Sequence, residues 1–145
     1  MQLTAVQVGY FEDYEDDETL EVAIAGVDES GVQRTFSFQR SSFEEPDEQD
    51  VENGMDSYNI STERGATVYG GLQTVRLIGL QLSLDFVPED AQALGIVAPV
   101  EVDLGGAEVN IVDFSTKLRN ILEWGAAGKR PEITGLDVTG TSSME

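Results

Sequence analysis

The sequence predicts an α+β fold, a mostly antiparallel β-sheet with one longer C-terminal helix and one short helix packed on it. Apolar and polar residues alternate at period two in several segments, most regularly over residues 80–86, which is typical of strands with one buried face. Glycine-containing turns separate these segments. From about Asp113 the apolar spacing becomes helical. Strands followed by a helix that covers the sheet are characteristic of the α+β class.

The first forty residues predict three strands. Residues 3–11 are rich in valine and aromatic side chains, which favour a strand. Residues 12–18 carry six acids in seven positions, a self-repelling run that indicates a solvated loop. Residues 19–27 and 32–40 flank Asp28-Glu29-Ser30-Gly31, whose glycine suits a turn, so the two segments predict a β-hairpin.

The middle of the chain predicts an acidic loop and further short strands. Residues 41–57 are too polar for the core, and residues 58–63 and 67–69 flank a turn at Arg64-Gly65. The pair Gly70-Gly71 then interrupts the strand pattern, which marks a bulge or a close backbone approach. Residues 72–78 predict the next strand.

The last third predicts two helices and two strands. Residues 80–86 form a strand, and residues 88–94 form a short helix because Pro88 suits its first turn and Gly95 its C-terminal cap. Residues 96–104 predict another strand. The longer helix then presents a single apolar stripe, with Gly125 as a candidate cap. The stripe consists of Phe114, Leu118, Ile121 and Leu122.

A chain of 145 residues fits one domain. We expect that domain to cover residues 1–130, and residues 131–145 to form a flexible C-terminal tail, because the end of the chain is rich in small and polar residues. The N-terminus carries no basic segment followed by an apolar run, and no apolar run approaches the length of a membrane span. We therefore expect a soluble, cytoplasmic protein.

The composition excludes several kinds of chemistry. The chain has no cysteine and no histidine, which excludes disulfides, thiol catalysis and the Ser-His-Asp arrangement. It carries 28 acids against 8 bases, a net charge of −20, and 16 of the acids lie within residues 1–56. Such a field repels nucleic acid and anionic membranes and attracts basic partners. Solubility or adaptation to high salt would also explain the acidity.

No motif predicts an enzyme, a cofactor or a metal site. The acids of the loop resemble a calcium loop, but placing Gly54 at the sixth EF-hand position puts Val51 at the third and Ile60 at the twelfth. Neither glycine pair of the chain is followed by the Gly-Lys-Ser/Thr of a phosphate-binding loop. Carboxylate pairs are abundant by composition alone, so they do not indicate glycoside hydrolysis.

Partner binding remains the function that the acidic loop favours. Its carboxylates would steer a basic partner, and nearby aromatic and methionine side chains would bury area against it. The alternative is a solvated loop in which Asp50 or Asp56 only caps or turns the backbone. The candidate contact residues are Phe43, Glu44, Glu45, Asp47, Glu48, Asp50, Glu52, Met55, Asp56 and Tyr58.

Three pieces of sequence in this region resemble a known family. They are a strand ending in Phe38-Gln39-Arg40, the run Glu48-Gln49-Asp50-Val51-Glu52-Asn53-Gly54-Met55-Asp56-Ser57-Tyr58, and Thr67-Val68-Tyr69-Gly70-Gly71. Their order and spacing resemble the immunity protein 10 family of bacterial polymorphic toxin systems, over about residues 3–124. We expect five motif residues to hold the shape of the loop rather than to contact a partner, with Arg40 pairing with a loop carboxylate. These residues are Arg40, Gly54, Tyr69, Gly70 and Gly71.

The resemblance implies a non-catalytic protein that binds and neutralises a cognate toxin in the producing cell. The acidity is compatible with a basic toxin, for example a nuclease, and with no binding to nucleic acid or membrane. Two alternatives stay open, an acidic structural or assembly module without a toxin partner, and a calcium-binding protein.

Overall fold

The structure is a computed structural model that describes residues 1–136. Within that range the chain forms a nine-stranded sheet, three α-helices and two 3₁₀ turns, at Leu104–Gly106 and Ala127–Lys129. The helices are α1 (Glu48–Glu52), α2 (Pro88–Leu94) and α3 (Ile111–Leu122). The strands are β1 (Gln2–Asp13), β2 (Thr19–Asp28), β3 (Gln33–Ser41), β4 (Asn59–Thr62), β5 (Thr67–Tyr69), β6 (Leu72–Ile78), β7 (Gln81–Phe86), β8 (Val100–Asp103) and β9 (Glu132–Thr134).

The sheet is mostly antiparallel, with the strand order β5-β4-β3-β2-β1-β8-β7-β6-β9. Only the pairs β1–β8 and β6–β9 are parallel among the described strands. The α+β class and the mostly antiparallel sheet are therefore confirmed. The helices are all short, however, and α3, predicted as the longer one, has 12 residues.

The core occupies one face of the sheet. Along β2 the residues alternate, with Val22 and Ile24 fully buried. Along β7 the apolar residues Leu82, Leu84 and Phe86 are buried in the same way. This alternation follows from the period of two in a strand, which places successive side chains on opposite faces.

Helix α3 covers this face where β2 and β3 lie. Its apolar stripe, including Phe114 and Leu118, is buried, as the helical spacing predicts. The helix begins at Ile111 because the Asn110 side chain accepts a hydrogen bond from the Asp113 amide at 3.1 Å. Its C-terminal cap is Glu123, two residues before the glycine predicted for that role.

Two predicted segments differ in the structure. The strand predicted over residues 96–104 is confined to β8, and it begins directly after Pro99, which has no amide hydrogen to donate to a neighbouring strand. The acidic loop contains the helix α1, which has 5 residues and is too short to show a helical apolar period.

The chain continues as structure beyond residue 130, where the flexible tail is predicted. Strand β9 pairs in parallel with β6, and Leu136 is buried. The rest of the predicted tail, residues 137–145, lies outside the described residues. None of the helices within residues 1–136 is long and apolar enough to cross a membrane.

Candidate partner-binding surface

The acidic loop, residues 41–57, is organised around α1. Asp47 caps this helix, and its carboxylate accepts a hydrogen bond from the Asp50 amide at 2.8 Å. The Asp50 carboxylate accepts one from the Asp47 amide at 3.0 Å, which completes a capping box. These two carboxylates therefore shape the loop, in agreement with the capping alternative for Asp50.

The C-terminal end of the loop is fixed to the segment that follows α3. Lys129 donates to the Asp56 carboxylate at 2.7 Å and to the Gly54 carbonyl at 3.1 Å. The hydrogen bond from Lys129 lowers the pKa of Asp56. The Asp56 carbonyl accepts a further bond from the Ala126 amide, and Gly125 lies against it so closely that a Cβ atom there would be 2.2 Å from the carbonyl oxygen.

The N-terminal end of the loop is held by Arg40 and Trp124. The indole Nε1 of Trp124 donates to the Phe43 carbonyl at 2.7 Å, and the Arg40 guanidinium lies 5.7 Å from the centre of the indole ring. Arg40 also donates to the Ser41 carbonyl at 2.8 Å and to the Asn120 side chain at 3.0 Å. The expectation that Arg40 pairs with a loop carboxylate is wrong, because its described partners are a π-face and amide oxygens.

The first acidic run, residues 12–18, lies beside this loop. Asp13 turns the chain by accepting hydrogen bonds from the Glu15 and Asp16 amides. The Glu18 carbonyl then accepts from the Ser42 amide at 2.9 Å, which brings the run against the start of the loop. The two acidic segments are thus neighbours in space, which the spacing in the sequence does not reveal.

Two grooves open around Arg40 and Trp124, which line both of them. One, of about 420 Å³, lies between the two acidic segments and includes Asp17 and Asp50. The other, of about 520 Å³, lies between the loop and the C-terminal end of α3 and includes Glu44. Partial burial lowers the pKa of Arg40, and the nearby Tyr14 opposes that shift.

Comparison with known families decides what kind of protein carries this surface. The family described as immunity protein 10 matches residues 4–112. The chain belongs to the immunity protein 10 family. The resemblance carried by the Gly-Met-Asp and Tyr-Gly-Gly pieces is therefore confirmed.

The family match includes both acidic segments and ends at the start of α3. The residues that fix the loop from outside, Trp124, Gly125 and Lys129, lie beyond the matched range. No curated protein and no solved structure matches the chain. Among the described residues, no three carboxylates form a group that could hold a metal ion.

Apart from Tyr58, the predicted contact residues divide into two groups in this member of the immunity protein 10 family. Phe43, Met55 and four of the glutamates are exposed; these glutamates are Glu44, Glu45, Glu48 and Glu52. Asp47, Asp50 and Asp56 are engaged in the contacts that shape the loop. Val51, at 59% exposed, is an apolar surface residue of α1 that was not predicted as a contact residue.

Tyr58 requires a correction. It was predicted as a toxin anchor, but its side chain is 0% exposed, and its hydroxyl oxygen accepts a hydrogen bond from the Leu72 amide at 3.1 Å. Burial raises the pKa of this phenol to about 12. A side chain enclosed in this way packs the core and cannot reach a partner.

The glycine pair connects β5, at one edge of the sheet, to β6, the second strand from the other edge. The Gly70 amide donates to the Tyr58 carbonyl, and the Gly71 carbonyl accepts from the Val87 amide, both at 2.8 Å. Both glycines have positive φ angles, +78° and +100°, which favour glycine. Gly70 also packs against the Lys129 side chain, and Tyr69 pairs with Asn59 in the sheet.

Proposed function

We propose that this chain is a cytoplasmic immunity protein that neutralises a cognate, basic toxin by stoichiometric binding and without catalysis. Membership of the immunity protein 10 family supports this proposal. The observation that carries the choice of surface is the convergence of the two acidic segments on the Arg40–Trp124 pair. Acids concentrated in this way make the local electrostatic potential more negative than the same acids would if they were spread evenly.

Steering is assigned to the exposed glutamates. Within residues 1–136 the carboxylates of Glu44, Glu45, Glu48 and Glu52 make no hydrogen bond or ion pair. They are therefore available to lysine and arginine side chains of the toxin. Rim charges of this kind act mainly on the association rate and on its salt dependence.

Anchoring is assigned to the apolar side chains among these acids. Phe43 is 58% exposed and Met55 is 40% exposed, and Val51 lies between them on α1. The carbonyl of Phe43 is held by the Trp124 indole, so its backbone is already ordered. An anchor on an ordered backbone loses less conformational entropy on binding.

The proposal is tested with a toxin domain taken from a gene that neighbours the gene of this chain. Cells that express the toxin domain should stop growing, and co-expression of this chain should restore growth. Calorimetry on the purified pair should give a ratio of one to one. Continued growth arrest together with no measurable binding would overturn the proposed function.

The assignment of the surface is tested by removing four charges without touching the caps of α1. We expect the loop variant to associate roughly threefold to tenfold more slowly at low ionic strength, with a flatter salt dependence. The loop variant is Glu44→Gln, Glu45→Gln, Glu48→Gln and Glu52→Gln. A control removes four exposed charges elsewhere, through Glu89→Gln, Asp103→Asn, Glu108→Gln and Glu132→Gln. Equal association rates for the two variants would contradict the steering role.

A further inference from the structure

Strand β1 lies in the middle of the sheet, but most of its side facing β8 has no partner strand and forms an open edge. It pairs with β2 from Leu3 through Asp13, but with β8 only over Gln2–Thr4. A bulge between Ala5 and Gln7 follows, and β8 leaves the sheet into the 3₁₀ turn. Beyond Thr4, no strand of the described chain pairs with this side of β1.

The backbone of this edge is not satisfied by other contacts. Within residues 1–136, the backbone groups of residues 7–12 form hydrogen bonds only with β2. Helix α3 reaches the strand through side chains. Lys117 lies 5.3 Å from the centre of the Tyr10 ring and 3.6 Å from the Glu12 carboxylate, and the Asp113 carboxylate is also close enough to act on Tyr10. Such a contact covers a face of β1 and leaves its edge open to an added strand.

Apolar side chains flank the open edge on both faces. Tyr10 pairs with buried Val22 and is therefore on the core side, whereas Phe11 pairs with Glu21 and is on the outer side. The two aromatic side chains are 38% and 42% exposed. An added strand would contact both, because its own side chains alternate between the faces.

The charge beside the edge favours one kind of occupant. Glu12 and Asp13 end the strand, and the acidic run continues to Glu18, where the groove of about 420 Å³ begins. A second copy of this chain would bring a net charge of −20 against the same field. The negative field attracts a basic segment, whereas like-charge repulsion weakens the binding of an acidic partner.

We propose that an extended basic segment of the toxin adds to the edge of β1 as a further strand, along residues 7–12. Six residues of strand span about 20 Å, enough for alternating apolar and basic side chains of the toxin to lie against Tyr10, Phe11 and the acidic run. This inference rests on the proposed function. It extends the contact surface from the acidic loop to the other side of the first acidic run.

Hydrogen exchange on the full chain tests the inference directly. The probe is the purified toxin domain of the growth assay. In the free chain, the outward amides of residues 7–12 should exchange fast, and in the complex they should exchange at least tenfold more slowly. A complex that forms while these amides stay unprotected would overturn the inference and leave the proposed function intact.

A pair of matched variants supplies the second test. Phe11→Lys places a positive charge on the edge and should weaken toxin binding about tenfold, the loss typical of a contact residue of moderate weight. Ile78→Lys is the control, since Ile78 is 66% exposed on β6, three strands from β1 in the strand order. It should change binding less than twofold. Thermal melts of both variants verify that they fold.

The remaining outcomes are decisive as well. Equal binding by the two lysine variants, both folded, would overturn the strand addition. A stable dimer of the free chain with protected amides at residues 7–12 would also overturn it, since a second copy would then occupy the edge. If the wild-type chain neither binds the toxin nor restores growth in its presence, the inference is overturned together with the proposed function.

Discussion

Replacing Gly125 with alanine should detach the acidic loop from the end of α3. Gly125 has a φ of +88° and forms an isolated bridge with Ser57. For an alanine this backbone region costs about 1–2 kcal/mol. The added Cβ would lie 2.2 Å from the Asp56 carbonyl oxygen and 2.9 Å from its carbon, and a forced backbone shift costs about 1–3 kcal/mol more. We therefore expect the free energy of unfolding to fall by about 2–5 kcal/mol.

Urea titration followed by circular dichroism measures this change, and the melting temperature should fall by roughly 5–20 °C. Gly128→Ala is the matched control, because its Cβ would meet nothing within 4 Å and its φ is not positive. That variant should stay within about 0.5 kcal/mol of the wild type. If Gly125→Ala is as stable as Gly128→Ala, then Gly125 does not lie against the Asp56 carbonyl as closely as described. Slower association of Gly125→Ala with the toxin would show that attachment of the acidic loop to the end of α3 matters for binding.

Two further predictions concern pH. Burial raises the pKa of Tyr58 from 10.0 to about 12, so the unfolded chain ionises first. The free energy of unfolding therefore falls by about 2 kcal/mol as the pH rises from 10 to 12. Tyr58→Phe, compared with the wild type by urea titration, should lose less stability over this interval, and an equal loss would contradict the enclosed phenol. Hydrogen bonding from Lys129 lowers the pKa of Asp56 below its ordinary value of 3.8. The ionised Asp56 therefore stabilises the folded chain above pH 3.8, and this contribution disappears as the pH falls through the folded-state pKa. Acid titration of Asp56→Asn should show a shallower loss of stability below pH 3.8 than the wild type shows.

The periodic segments of the chain were predictable because local patterns determine them. The alternation in β2 and β7 and the apolar stripe of α3 each place one set of side chains on one face, whatever the rest of the chain does. Helix α2 occupies the predicted residues, with Gly95 in the left-handed conformation at its end. Segments without such a period, α1 and β9, were not predicted, because their short lengths carry no repeat.

The candidate surface was predictable only in part. Composition identified the acidic loop as polar and exposed, and its glutamates are exposed. Tyr58 was misassigned because an aromatic residue after an acidic loop has the same local pattern whether it packs inward or outward. Its enclosure depends on Leu72, which is distant in sequence, and on the closure of the Gly70-Gly71 connection.

The sequence by itself determined the fold class, the strand faces, the family and the excess of negative charge. Each of these depends on residues close together in the chain, or on composition alone. Only the tertiary structure decided that the acidic run at residues 12–18 lies beside the acidic loop, that Trp124 and Lys129 fix that loop, and that β1 keeps an open edge. Those features depend on strand order and on contacts across as many as 81 positions of the chain, where local patterns carry no information.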